Sequence, residues 1–468
     1  MPVPIISVAQ MREWERATWA TGQTEQNVIA RVGQSLAQHS LALTRRDDAI
    51  LLLAGKGHNG DDVRAMRPHL GERSVQLLDV IDPAAALREI EIALKRRPKL
   101  IVDGLFGIGL SRALDAHWVA LIQQINDARL PVLAVDAPSG LDADSGNAMP
   151  EAVRASVTLT VGAPKRGLLA ANAAEYVGRL EVAENVGLIP CPCASEWQWT
   201  LPEDFTGFPP PRPVDGHKGT FGHLGIVAGS AGYHGAAVLA ARGAQRARPG
   251  LITLFPQPDV YEPIAAQLQA VMVNPWCEGE DLSQCTARLF GPGLAGPVPR
   301  AVSEELQIAW EVCLEPVIVD ASALDWLRPQ GASGLRVITP HPGEAARLLD
   351  ISAADVQRDR LAAVRALSRK FGNCWVVLKG RHTLIGRAEG EMFVNGSGDS
   401  GLAQGGTGDL LAGFIAGWLA QPLVQRDPLL ALRYAVWEHG AAADRLSTRR
   451  TNWIVEELAI ELGTGVAA

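Results

Sequence analysis

The segment Gly405-Gly406-Thr407-Gly408-Asp409 runs straight into an apolar stretch, Leu410–Leu419. Its small residues leave backbone amides bare at a helix N-terminus, where the partial positive charge favours an anion. Asp409 follows at once, within reach of whatever approaches that anion. A carboxylate beside an anion hole suits the activation of a hydroxyl towards phosphoryl transfer. Aspartate after glycine is also a good helix cap, and the five residues alone allow either role. Other loops precede it in order: His217-Lys218-Gly219-Thr220-Phe221-Gly222-His223, Gly291-Pro292-Gly293, Val319-Asp320-Ala321-Ser322-Ala323-Leu324, Thr339-Pro340-His341-Pro342-Gly343-Glu344 and Leu378-Lys379-Gly380.

A second set lies in the first half. Ala49–Ala54 leads into Gly55-Lys56-Gly57-His58-Asn59-Gly60-Asp61-Asp62, and Asp79 ends the next apolar run. Gly-x-Gly-x-x-Gly after a strand, with a carboxylate about twenty residues on, looks like a dinucleotide-binding fingerprint. Two further runs end in Asp103-Gly104-Leu105-Phe106-Gly107-Ile108-Gly109-Leu110-Ser111-Arg112 and in Asp136-Ala137-Pro138-Ser139-Gly140-Leu141-Asp142. Carboxylates there can hold a cation or move a proton, and glycine amides can accept phosphate oxygens.

The elements that must position these loops follow from apolar periodicity. Residues 7–43 read as helix, with Met11, Trp14, Ala17, Val28, Val32 and Leu36 at helical spacing. Short apolar runs then alternate with amphipathic stretches: Ala49–Ala54, Val75–Val80, Leu100–Val102, Val132–Val135 and Val157–Val161. Prolines 190, 192, 202 and 209–211 interrupt the rhythm and read as a linker. A second series follows at Leu224–Ala228, Leu251–Phe255, Ala287–Phe290, Val317–Val319, Arg336–Ile338 and Trp375–Leu378. Such alternation predicts parallel sheets flanked by helices. The fold class is therefore α/β with two domains, a Rossmann-like three-layer α/β/α domain over 1–205 and a second α/β domain over 212–468.

The 468 residues are 47% apolar and 20% charged, with 47 glycines and a net charge of −8. Neither a basic stripe nor a charge-free run of membrane-spanning length occurs, so no nucleic acid and no membrane partner is expected. Arg12, Glu13, Glu15 and Arg16 stand where a signal peptide needs apolar residues, and a cytoplasmic location is expected. Cys191 and Cys193 lack zinc-ligand spacing and read as part of a connecting segment.

These ordered C-terminal motifs are similar to those of the ADP/ATP-dependent NAD(P)H-hydrate dehydratases, which are ribokinase-like, over essentially all of residues 215–460. The three N-terminal loops resemble those of the YjeF N-terminal epimerase domain of the same repair enzymes. That resemblance implies dehydration of (6S)-NAD(P)H hydrate, the substrates being NADHX and NADPHX, with ADP or ATP phosphorylating the hydroxyl and Mg2+ bridging the phosphates. Asp409 would be the base. Lys379, Gly380, Arg381, His382 and Thr383, with Gly406, Thr407 and Gly408, would hold the nucleotide. Ala237, Gly293, His341 and Asp409 would contact the hydrate.

In the first domain the resemblance implies epimerisation of the hydrate, with Asp136 catalytic and K+ held by Asn59, Asp103 and Ser139. The ligand would lie against His58, Asn59, Gly60, Asp61 and Asp62, against Gly107, Ile108, Gly109, Leu110, Ser111 and Arg112, and against Asp136. A homo-oligomer is the expected assembly. This chain departs from the family loop Gly-Asn-Asn-Gly-Gly-Asp-Gly at His58, Asp61 and Val63. A carboxylate at 61 is expected to repel a diphosphate, and a side chain at 63 to oppose a positive φ. Other readings are a kinase of a vitamin-like alcohol, a non-catalytic binding module and an NAD-dependent dehydrogenase.

Overall fold

The computed structural model describes residues 2–110, 112–296, 298–329 and 331–465. The chain forms two compact units, Val3–Ser195 and Glu196–Ala468.

In the first unit six strands form one parallel sheet: β1 (Ala49–Ala54), β2 (Ser74–Asp79), β3 (Leu100–Gly104), β4 (Val132–Val135), β5 (Val157–Val161) and β6 (Arg179–Ala183). Their order is β2-β1-β3-β4-β5-β6. Strand β1 shows why helices must cover both faces. Ile50 and Leu52 join one core with Val28, Leu36 and Val63, while Leu51 and Leu53 join another with Leu94 and Ile122. Successive side chains point to opposite faces, so an unbroken apolar run needs apolar cover on each side. The three-layer expectation holds.

The single helix expected over 7–43 is two, Val8–Trp19 and Glu25–Leu43. Ser7 and Gln10 close a capping box on the first, Thr24 caps the second, and Gly22 at φ +90° sits in the break. Helical spacing on both sides of a short turn hides the interruption.

The second unit holds β7 (Trp197–Thr200), β8 (His223–Val227), β9 (Leu251–Phe255), β10 (Met272–Val273), β11 (Ala287–Phe290), β12 (Val317–Val319), β13 (Arg336–Ile338), β14 (Trp375–Leu378), β15 (Leu384–Gly386) and β16 (Met392–Asn395). The order is β7-β16-β15-β14-β13-β12-β11-β8-β9-β10. Strands β14, β15 and β16 pair antiparallel and the remaining pairs are parallel. The helix Thr407–Leu419 is buried almost all round against the helix His234–Ala247 and the sheet.

The boundary expected at 205–212 is corrected. Trp197–Thr200 is a strand of the second sheet, parallel to Met392–Asn395. Phe205 and Phe208 lie in the second core against Tyr434 and Trp418. Proline-rich sequence here is packed structure rather than linker, because two aromatic rings between the prolines have apolar surface to bury.

Candidate functional site

In the first unit the three glycine and aspartate loops meet at the carboxyl ends of β1, β3 and β4, where open parallel sheets form their crevice. A cleft of about 580 Å³ opens there. His58, Asn59, Asp62, Gly107, Ile108, Gly109, Leu110, Arg112 and Asp136 are on its wall. Gly60 and Asp61 are not on that wall, and Ser111 lies outside the described residues.

Asn59 joins the loops. Its Nδ2 donates to the carbonyls of Phe106 at 3.1 Å and Val135 at 2.6 Å. Gly107 is required beside it, since a Cβ there would stand 2.3 Å from Asn59 Oδ1. Ser139 Oγ donates to Asp103 Oδ1 at 2.6 Å, and its amide donates to Oδ2 at 2.8 Å. Both residues are fully buried, and burial pushes the Asp103 carboxyl up to about 6 against those bonds. The result is a buried carboxylate near two carbonyls that point at one amide nitrogen. These are hard oxygen ligands, and among the described residues no three His, Cys, Asp or Glu side chains form a metal cluster.

Asp136 sits at φ +63° at the end of β4. Its Oδ1 accepts from Lys165 Nζ at 2.5 Å, Thr160 Oγ1 at 3.1 Å and the Val161 amide at 3.0 Å. With all three bonds on Oδ1, Oδ2 is left for the cleft. The Lys165 side chain has no exposure, and sequence reasoning missed it. Its signal was Ala163-Pro164-Lys165 closing the loop after β5. Glu15, from the first helix, was also missed. It lines the cleft, and burial followed by the nearby Asp136 raises its pKa. The same two causes raise that of Asp62.

Two of the departures in the first loop, Asp61 and Val63, have defined surroundings. Asp61 pairs with Arg64, whose guanidinium is shared with Asp79 and the Gly55 carbonyl. Asp79 is therefore tied to Arg64 rather than presented to a ribose. Val63 lies buried within the helix His58–Met66 and does not have a positive φ. The strain expected at 63 is corrected, while the carboxylate at 61 shares its one guanidinium with Asp79.

In the second unit the loops converge on Lys379. Its Nζ lies 2.7 Å from Asp320 Oδ1 and 3.9 Å from Glu344 Oε2. Burial works to lower its pKa, but Asp320, Glu344 and Asp409 outweigh it and raise it. Thr339 Oγ1 donates to the same Asp320 oxygen at 2.6 Å. Gly406, at φ +95°, starts the helix Thr407–Leu419, and a Cβ there would lie 2.4 Å from Leu239 Cδ1. Gly408 leaves room for Lys379, whose Nζ would be 3.4 Å from an added Cβ. Thr407 Oγ1 is spent on the carbonyls of Leu402 and Gln404, each at 3.0 Å. Burial, then Asp320, pushes Asp409 up to about 7 despite Lys379.

His341 caps its helix: Nδ1 accepts from the amides of Gly343 and Glu344, and the Glu344 carboxylate accepts from the His341 amide. Nε2 of the half-exposed ring then carries the proton. Gly293 is fixed at φ +66°, its carbonyl accepting from Ser230 Oγ at 2.8 Å. Ala237 is fully buried, so its side chain has no surface to offer a ligand. Of the loop between β14 and β15, Thr383 Oγ1 donates to the Gly380 carbonyl, and His382 packs edge-on to Trp199 with its pKa pushed by burial down to about 3.

A glycine loop opening a buried helix, a lysine among three carboxylates and a carboxyl pushed to about 7 are the features of a ribokinase-like unit, fused to a Rossmann-like unit. Residues 224–462 match the family model for NAD(P)H-hydrate dehydratase, and 69–167 match that for the YjeF-related protein N-terminus. The bifunctional NAD(P)H-hydrate repair enzyme Nnr of Coxiella burnetii is 34% identical, covering 93% of this chain and 93% of its own. The ADP/ATP-dependent NAD(P)H-hydrate dehydratase of Bacillus subtilis, co-crystallised with ATP and Mg2+, is 30% identical with a TM-score of 0.50, over 56% of this chain and 95% of that one. A ribokinase-like superfamily protein of Enterococcus faecalis is 26% identical with a TM-score of 0.51, over 58% of this chain and 96% of that one. The chain belongs to the family of bifunctional NAD(P)H-hydrate repair enzymes. No helix among the described residues is long and apolar enough to cross a membrane.

Proposed function

We propose that the second unit dehydrates the S epimer of NADHX and NADPHX at the expense of ADP or ATP, and that the first unit interconverts the R and S epimers. The observation that carries the dehydratase reading is Asp409, a carboxyl at about 7 in the first turn of an anion-accepting helix. A base with that proton affinity is matched to neutral pH. Asp409 takes the proton of the hydrate hydroxyl as its oxygen forms a bond to the terminal phosphorus of the nucleotide. The phosphorus–oxygen bond to the rest of the nucleotide breaks, and the amides at Gly406–Gly408 face the transferred charge. Phosphate then departs with the former hydroxyl oxygen, and loss of the adjacent ring proton restores the double bond.

The nucleotide is a substrate, and Lys379–Thr383 with Gly406–Gly408 are its proposed seat. Around Lys379 stand Asp320, Glu344 and Asp409, three carboxylates against one ammonium. That excess suits Mg2+ arriving on the phosphates with its own waters. In the first unit Asn59, Asp103 and Ser139, with the carbonyls of Phe106 and Val135, are the proposed K+ site. The cation would fix the loops and supply positive charge beside the ligand. Asp136 takes the proton of the ring hydroxyl through Oδ2, while Lys165 holds Oδ1. The C=O bond forms as the bond from that carbon to the ring nitrogen breaks with its electron pair going to nitrogen. Re-closure on the other face with return of the proton gives the other epimer. Incubation with mixed epimers, nucleotide and Mg2+ tests both activities: NAD(P)H must form, and unchanged hydrate would defeat the proposal.

A further inference from the structure

The loop Lys379–Thr383 joins two antiparallel strands, and a side chain from elsewhere in the chain holds its shape. Arg360 is the first residue of the helix Arg360–Lys370. Its Nη2 donates to the carbonyls of Leu378 at 3.0 Å and Lys379 at 3.5 Å. Its Nη1 donates to the carbonyl of His382 at 3.2 Å and to that of Arg381. One guanidinium thus gathers four carbonyls of a tight hairpin, and no carboxylate pairs with it among the described residues. Burial lowers its pKa to about 10, so it keeps its charge at neutral pH.

The consequence follows from peptide geometry. In a planar trans peptide the C=O and the next N–H point opposite ways. Carbonyls of 378, 379, 381 and 382 turned towards Arg360 therefore turn the amides of 379, 380, 382 and 383 away from it. The first of these donates to the Pro340 carbonyl at 2.9 Å. Those of Gly380, His382 and Thr383 are aimed at the opposite side of the hairpin. Gly380 at φ +136° and His382 at φ +53° adopt the backbone this demands. Adjacent amides facing one side make a concavity for an anion or a polar ring edge.

We propose that Arg360 is a positioning residue for nucleotide binding: it never touches the nucleotide, but it shapes the Lys379–Thr383 loop so that its amides can. This rests on the reading of that loop as the nucleotide seat. Lysine in its place has one ammonium and cannot fork to four carbonyls.

The test uses the full chain with Arg360→Lys and Arg360→Gln, measuring steady-state kinetics and binding of a fluorescent ADP analogue without hydrate. Both variants should raise the KM for ADP or ATP and weaken analogue binding by about tenfold, the equivalent of one hydrogen bond to a charged group. Turnover at saturating nucleotide and the KM for hydrate should change by less than threefold. A nucleotide KM within twofold of the parent, or a loss confined to turnover, overturns the proposal. If Arg360→Gln does not fold, Arg360→Lys decides alone. Asp409→Asn is the contrasting control, expected to lose turnover and keep analogue binding. A parent protein that binds no analogue would sink the nucleotide-seat reading, which is a different outcome from unchanged variants.

Discussion

Replacing Lys165 with methionine removes a buried ammonium that bonds Asp136, Thr160 Oγ1 at 3.1 Å and the Val161 carbonyl at 3.0 Å. Asp136 keeps two donors, Thr160 and the Val161 amide, but has no opposing charge at contact distance. Breaking a buried ion pair from one side costs about 3–5 kcal/mol, because the remaining charge is uncompensated. The side chains are 0% and 8% exposed, so little solvent screening reduces that figure. For a unit of this size each kcal/mol moves Tm by roughly 2–4 °C, which gives a fall of about 6–20 °C. Differential scanning calorimetry of Lys165→Met, Asp136→Asn and the double variant measures it. Removing both charges should recover half or more of the loss, since no unpaired charge remains. Epimerisation should disappear in all three while nucleotide-dependent consumption of the S hydrate continues. A drop below 2 °C, or a double variant as unstable as the sum of the single ones, would refute the pairing argument.

Asp409→Asn should lower dehydratase turnover by roughly a thousandfold, in the range of a lost general base, as followed by NAD(P)H absorbance. In the parent, kcat/KM for the S hydrate should rise with pH through about 7, since Asp409 must lose its proton to act; a profile flat from pH 5.5 to 8.5 contradicts this. Asp103 has a folded-state value near 6 against 3.8 for the free group. The folded unit therefore binds the extra proton between those values, and Asp103's contribution to stability falls as pH rises from about 4 to 6. Added K+ should raise Tm more at pH 7 than at pH 5, and Asp103→Asn should abolish that difference in calorimetry. Phe205→Ala should destabilise the second unit by about 3–5 kcal/mol, with a thermal transition lowered accordingly and epimerisation of the R hydrate retained.

Much of this was legible in the residues. Strands such as Ala49–Ala54, Val132–Val135 and Val317–Val319 are short apolar runs closed by glycine or aspartate, and they appear at the expected positions. Strands β6, β7, β10, β15 and β16 escaped notice because their partners are set by tertiary pairing, and Trp197–Thr200 lies between Pro192 and Pro202 in a stretch that reads as linker. The site loops were visible as ordered motifs, since loops at the carboxyl ends of strands keep their chemistry local in sequence. What supports them was not. Lys165, Glu15 and Arg360 reach their partners from 29, 121 and about 20 residues away, with single side chains that carry no local pattern. Arg64 illustrates the reverse: Asp61 finds its partner only three residues on, at helical spacing, a pairing that is local in sequence.

The most direct test of the whole account is a single incubation of the purified full chain with a mixture of S and R NADHX, ADP or ATP, and Mg2+, with each epimer followed by chromatography. Both epimers should be consumed and NADH formed when nucleotide is present, whereas without nucleotide the S to R ratio should merely re-equilibrate after enrichment in one form. Hydrate that persists in both forms, or nucleotide spent on a stable phosphorylated alcohol with no NADH formed, would contradict it.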